Sequence, residues 1–450
     1  MTISEETKCK IRQDEEENMG RGVKQEIRQS KRISTAVRRV ACILMVSGSL
    51  LVMTACGAVV SGDSRKTDGT TVSDSKTESP VTAADFVSAG GSDGQRKTPS
   101  ASTQTTTTAS MQEPSSIPAQ EPTPVPTPDT SYDFTICFAG DINLDENWGT
   151  THSMDARENG IYDCISPELV EFMQAADIMC LNNEFTYSTG GSPLSGKAYT
   201  FRAKPERVEV LKQLGVDAVT LANNHVYDYG KEALLDTFSV LEEAQIPYFG
   251  AGRNLEEAMK PLYLEAGGKV IALVGASRAE KNKMTPQATD TEPGILRCYD
   301  TALFLESIRK AKENADFCIA FVHWGTEYSF DLEQVQLDTG KDYLDAGADA
   351  IIGAHSHCLQ GLEYYEGKPI VYSLGNYWFN EKTLDTMLIQ LHFYGDATEN
   401  HLEVQVIPAV QADYKTTYAA EPEEQRRIYD FLESISVNVE ITDEGILREG

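Results

Sequence analysis

The chain has 450 residues, 40% of them apolar, and a net charge of −30, enough for one large domain or two modest ones. The charge is segregated: residues 1–39 carry +3 and the remainder −33. So acidic a chain excludes nucleic acid as a partner, a polyanion held by charge alone and adhesion to an anionic lipid surface; an anionic substrate would need a local positive focus, such as a metal ion.

Residues 1–40 form a charged, cytoplasmic n-region. It ends on Lys31, Arg32, Arg38 and Arg39, directly before the uncharged run ACILMVSGSLLVMTA. That run, extended over residues 41–60, predicts an export signal or membrane anchor. The stretch VMTAC, residues 52–56, resembles the lipobox of bacterial lipoproteins, which makes Cys56 the expected lipidated residue. Uncleaved, the run acts as a signal anchor. In both cases the Lys/Arg bias keeps the N-terminus inside and places the rest at the outer face of the cell membrane. Residues 61–131, with stretches such as TQTTTTAS and EPTPVPTPDTS, cannot bury enough apolar surface to offset their ordering entropy and predict a disordered, partly stiff linker.

A globular domain is expected over 132–450. Strands are predicted at 134–141, 177–184, 216–224, 316–325 and 348–357, and helices at 167–176, 205–215, 230–244, 301–315, 332–346 and 421–435. Hairpins should turn at Gly267-Gly268 and Glu366-Gly367, and alternating strands follow in MLIQLHF and HLEVQVIPA. Repeated strand–helix–strand units with hairpins imply an α/β fold of mixed sheets covered by helices. Nine cysteines occur without a C-x-x-C pair, which argues against structural zinc. Of the six in the domain, Cys137, Cys180 and Cys318 lie in apolar runs and should pack as small hydrophobes; a disulfide elsewhere is left open.

Polar residues recur where strands end: Asp141 and Asn143; Asn182 and Glu184; Asn223, Asn224 and His225; His323 and Glu327; His355 and His357; Asn376. In open α/β sheets the crevice beyond the carboxyl ends of the strands is where ligands bind. Carboxylate, amide oxygen and imidazole suit borderline to hard divalent metals. In extended backbone His355 and His357 would project to one face. Singly, HSH reads equally well as a polar loop and Asn-Asn as a turn. Jointly they point to a site, because four of the seven histidines end strands in this way; His152, His392 and His401 do not.

The motifs GD-x-N (140–143), N-x-E (182–184), F-x-A-K-P-E (201–206), ANNHVYDYG (222–230), HWGTEY (323–328), GAHSHCLQ (353–360) and YSLGN (372–376) resemble, in order, those of the CapA family of poly-γ-glutamate capsule biosynthesis proteins. That family is similar to calcineurin-like metallophosphoesterases. The resemblance implies a four-layer α/β/β/α sandwich and a site for one or two divalent ions (Mn, Fe, Zn or Mg). It implies Asp141 and His357 on the first metal, Glu184 bridging, and Asn224, His323 and His355 on the second. His225 would be the general acid, oriented by Asp228. Asn143, Asn182, Asn223, Glu327, Gln360 and Asn376 would form an outer layer or touch substrate. The wider phosphoesterase pattern has His where Asn143 stands and Asp where Glu184 stands, so the first metal has fewer strong ligands here.

Two functions follow as expectations. One is a membrane-anchored, metal-dependent hydrolase acting on a phosphate ester or an anionic polymer. The other is a non-catalytic, polymer-binding scaffold of a synthesis and export complex, with a vestigial metal site and membrane synthase or export subunits as partners.

Overall fold

The computed structural model describes residues 130–280 and 283–450. The expected n-region, the signal or anchor with Cys56, and nearly all of the linker lie outside the described residues. Among the described residues no helix is long and apolar enough to cross a membrane.

The elements that build the domain are, in chain order, β1 (Tyr132–Ile142), α1 (Pro167–Ala175), β2 (Ile178–Asn183), β3 (Ala218–Thr220), α2 (Gly230–Ala244), β4 (Tyr248–Phe249), β5 (Leu262–Ala266), β6 (Lys269–Ser277), α3 (Ala302–Glu313), β7 (Phe317–His323), α4 (Gln334–Asp345), β8 (Ala350–Ala354), β9 (Leu359–Tyr365), β10 (Lys368–Leu374), β11 (Asn376–Trp378), β12 (Leu384–Gly395), β13 (Asn400–Ala412), β14 (Lys415–Tyr418) and α5 (Pro422–Ser434). They form two large sheets. The first runs β14-β13-β12-β1-β2-β3-β4, with β11 also beside β1; the second runs β9-β10-β8-β7-β6-β5. Strands β1 to β4 are mutually parallel, as are β6, β7, β8 and β10, and hairpin strands complete both sheets in antiparallel pairing.

Alternation along each strand makes the layers. In β1, Ile136 and Phe138 face a core between the sheets, where they meet Ile319 and Phe321 of β7 and Phe393 of β12. Cys137 and Ala139 face the opposite way, against Leu169 and Met173 of α1 and Leu234 and Phe238 of α2. In β7, Cys318, Ala320 and Val322 turn outward onto Phe304 and Ile308 of α3 and Tyr343 of α4. The result is helix, sheet, sheet, helix: the expected four-layer mixed α/β sandwich.

Local chemistry explains the element ends. Proline occupies the first turn of α1 and α5, where its missing N–H costs nothing. Glu333 and Gln336 form a capping box on α4. Gly267-Gly268 and Glu366-Gly367 take positive φ at both positions, as tight two-residue hairpins require.

Several expectations need correction. The strand expected over 216–224 is confined to Ala218–Thr220: Leu221 N still donates to Phe249 O at 3.0 Å, but the chain then leaves the sheet in a turn closed by Asn223 N donating to Leu221 O at 2.9 Å. The helix expected at 205–215 divides into a 3-10 turn, Pro205–Val208, and a short α-helix, Glu209–Gln213. The strand expected to 357 stops at Ala354. His355 and His357 have φ of 96° and 55°, so the same-face argument from extended backbone does not apply to them. All six domain cysteines are free and buried. A C-terminal hairpin, Val439–Ile441 with Leu447–Glu449, was not anticipated.

Candidate metal centre

The site lies at the carboxyl ends of β1, β2, β7 and β8, on the turn after β3 and beside β11. A register shift between Ala139 and Asp141 interrupts the β1–β2 ladder, a local irregularity that re-aims a side chain. Asp141 then sits beside Asn182 on one side and Asn376 on the other.

Two groups of ligand atoms converge, each with its atoms within 4.8 Å of one another: Asp141, Glu184 and His357, and Glu184, His323 and His355. Glu184 belongs to both. All five are buried. Asn224 Oδ1 lies 2.8 Å from His323 Nε2 and Glu184 Oε1 lies 3.5 Å from the same nitrogen. Ligands on one ion at about 2.0–2.2 Å stand roughly 3 Å apart, so this spacing suits three donors on a shared centre.

Buried polar atoms normally have partners. Among the described residues ten buried side-chain atoms have none, and five of the ten belong to Asp141 (Oδ2), Asn143, Glu184 (Oε1), His355 (Nδ1) and Asn376. Each group thus holds a bare carboxylate oxygen, and the second also a bare imidazole nitrogen, which a cation would satisfy; the donor set fits a divalent ion. His357 Nδ1 comes within 3.2 Å of Asp141 Oδ2 but is aligned with Asn376 Oδ1, at 2.8 Å.

Charge states agree with that fit. Burial, helped by neighbouring histidines, holds His323 well below the ordinary imidazole range and pushes His355 down to about 3. Both rings are therefore neutral near pH 7, as metal ligation requires. Burial and then the Asp141 charge push Glu184 well above the usual carboxylate range. Burial raises Asp141 too, but the nearby His357 ring and the bond from Asn182 outweigh it and leave Asp141 below its ordinary value.

His225 stands beside the two groups. Its Nε2 is 3.9 Å from Glu184 Oε1, its Nδ1 is 2.6 Å from Asp228 Oδ2, and its ring rests on Phe201 at 4.4 Å between centroids. Burial lowers its pKa against the pull of Asp228.

The remaining expected residues divide. Asn182 Nδ2 donates to Asp141 Oδ1 at 2.7 Å and Asn223 Nδ2 donates to Asn182 Oδ1 at 3.0 Å; Asn223 Oδ1 also accepts from the His225 and Val226 amides. These amides brace the ligands. Asn143 Oδ1 accepts from the Asp145 amide while its Nδ2 has no partner. Glu327 is exposed and reaches the site only through its charge on Glu184. Gln360 is not at the site: its side chain bonds Gln336 and the Ser329 carbonyl, because β9 turns it toward α4.

Sequence reasoning missed Lys197. Its side chain is 5% exposed and its Nζ is 2.5 Å from Asp228 Oδ1. The stretch GGSPLSGK, 190–197, reads as loop and carries no periodic signal. Phe379, 4.6 Å from the His357 ring, was missed as well. Tyr328, His355 and His357 all hold positive φ around one site, where such backbone strain tends to collect.

A family model described as Bacterial capsule synthesis protein PGA_cap matches residues 135–381. The capsule biosynthesis protein CapA of Bacillus anthracis is 36% identical over 203 residues, 44% of this chain and 49% of that protein. The PGA biosynthesis protein CapA of Bacillus subtilis is 32% identical over 242 residues, 52% of this chain and 63% of that protein. The chain thus spans 49% to 63% of the length of these curated relatives. A solved structure of a hypothetical protein from Thermus thermophilus aligns over 62% of this chain and 99% of its own, at 14% identity and a TM-score of 0.37.

Proposed function

Because the chain belongs to the bacterial capsule synthesis protein family, we propose that it serves the biosynthesis or export of poly-γ-glutamate or a similar anionic envelope polymer, through a metal-dependent, hydrolase-like site. The observation that carries the reading is the pair of ligand groups sharing Glu184, with bare buried oxygens on Asp141 and Glu184.

Asp141, Glu184 and His357 would hold one divalent ion; Glu184, His323, His355 and Asn224 Oδ1 would hold another. When bound, such an ion supplies Lewis-acid chemistry and the positive focus that this acidic chain otherwise lacks for an anionic substrate. His225 keeps its Nδ1 proton on Asp228 and presents Nε2 toward the ligand cluster. There it would exchange a proton with the group being cleaved. Phe201 and Phe379 wall the histidines from water.

In this reading the charged N-terminal segment, the apolar run and Cys56 anchor the domain at the outer face of the membrane, with synthase or export subunits as partners. A specific observation favours the second, non-catalytic reading. The first group converges with only three carboxylate or imidazole ligands, and the Asn143 oxygen is engaged by the Asp145 amide.

Metal analysis of the full chain, with a phosphodiesterase screen, tests the proposal. Asn224→Ala should lower metal content; His225→Ala should leave metal bound and abolish turnover. Absence of metal, with no change of envelope polymer in a His225→Ala strain, would establish the scaffold reading instead.

A further inference from the structure

We propose that Lys197 is a positioning residue for the turn that carries Asn224 and His225. The inference rests on the proposed metal and proton-transfer site, and names what assembles it.

Lys197 comes from the 188–200 loop, outside every element that supplies a ligand. Its ammonium donates to the backbone oxygen of Asn224 and to Asp228 Oδ1, and Glu280 Oε2 lies at 4.0 Å. These partners divide the work within Asp228. Oδ1 is taken by Lys197, so Oδ2 alone serves His225 Nδ1 at 2.6 Å and the Phe201 amide at 2.7 Å. With one oxygen anchored, the carboxylate cannot rotate, and the His225 ring is held with Nε2 toward Glu184.

The second bond acts on the neighbouring residue. By fixing the Asn224 carbonyl, with Thr285 Oγ1 as a further donor at 2.8 Å, Lys197 fixes the peptide from which Asn224 Oδ1 reaches His323. One cation thus sets two adjacent side chains that face the same centre for different tasks. The loop is docked on the same turn by its own backbone, Leu194 N donating to Asp228 O at 2.9 Å. A lysine that served only to neutralise Asp228 would need no bond to the Asn224 carbonyl.

The test compares the full chain, in detergent, as wild type and as Lys197→Met. The first readout is the low-field proton resonance of His225 Nδ1–H, assigned by its loss in His225→Gln; it needs neither metal nor turnover. The second is Mn²⁺ affinity. The expected result is loss or a marked upfield shift of the resonance, with Mn²⁺ affinity falling roughly 10–100-fold, as for residues that orient ligands. An unmoved resonance and unchanged affinity, with only the unfolding midpoint lowered, would overturn the proposal and leave Lys197 a structural ion-pair partner. If Lys197→Met does not fold, Lys197→Gln, which keeps a donor without the charge, is read for the same outcomes. Failure of the wild type to bind Mn²⁺ would sink the metal reading alone, because the resonance still decides the role of Lys197.

Discussion

His225 Nδ1 stands 2.6 Å from Asp228 Oδ2, while Lys197 holds the other oxygen of that carboxylate at 2.5 Å. Asp228 is fully buried. Asp228→Ala would leave a buried ammonium without its nearest counter-charge, with only Glu280 at 4.0 Å, and a histidine without its orienting acceptor. Removing one member of a buried pair costs about 3–5 kcal/mol, so guanidinium unfolding of the variant should show a loss of that order.

Sharing of Glu184 between the two ligand groups makes a stoichiometric prediction. Glu184→Ala should deplete both metal positions. Asp141→Ala should deplete only the one it shares with His357, and His355→Ala only the one it shares with His323. Elemental analysis of each variant beside the wild type reads this directly. Equal losses in Asp141→Ala, His355→Ala and Glu184→Ala would mean a single ion.

Burial pushes the thiols of Cys137, Cys298 and Cys318 up to about 12 and that of Cys358 to about 11. The thiolate is the reactive form. These four should resist iodoacetamide at pH 8 in the folded protein and label fully in guanidinium without added reductant. Peptide mass spectrometry distinguishes them from the cysteines of the N-terminal segment. Labelling that requires a reductant would mean a disulfide.

Glu146 illustrates pH dependence away from the site. Burial pushes its carboxyl up, but bonds to Arg207 and Lys204 outweigh this and bring it down to about 2 from an ordinary 4.5. The folded state therefore binds fewer protons than the unfolded chain between these values, and stability falls as pH drops through that window. Glu146→Gln should flatten this part of the stability curve and leave the curve near neutrality with the same shape, measured by urea unfolding from pH 6 to 2.5.

What was legible in the sequence is what strands announce. Asp141, Glu184 and His323 stand where apolar runs stop, so the mixed α/β fold and the crevice at its strand ends could be read from the residues, whereas the four-layer sandwich was implied by the family resemblance. The two later histidines are a different case. The rings of His355 and His357 lie 6.1 Å apart, but residues at positive φ put them there, and the apolar run before them reads as extended strand. Gln360 was misassigned because its motif crosses from that turn into β9, where the side chain reverses direction. Lys197 was invisible because a loop lysine gains its role only through tertiary contact with a turn 27–31 residues away.

Gly140 sets how closely the two strands behind Asp141 approach. A Cβ at this position would fall 2.0 Å from Gly375 O and 3.1 Å from Leu374 Cβ, and Asp141 N donates to that same Gly375 O at 3.0 Å. Gly375 is itself packed tightly, with a Cβ there falling 2.8 Å from the Cys358 backbone, and it leads straight into Asn376, the partner of His357. Gly140→Ala must therefore push β1 away from β11 at the point where Asp141 begins. Overpacking of this kind costs about 1–3 kcal/mol. The displaced side chain is Asp141, so the expected signature is a lower unfolding midpoint together with loss of the ion held by Asp141 and His357. The Glu184, His323 and His355 group should keep its metal. A variant that loses stability but retains full metal content would mean that the strand shift is absorbed before it reaches the carboxylate.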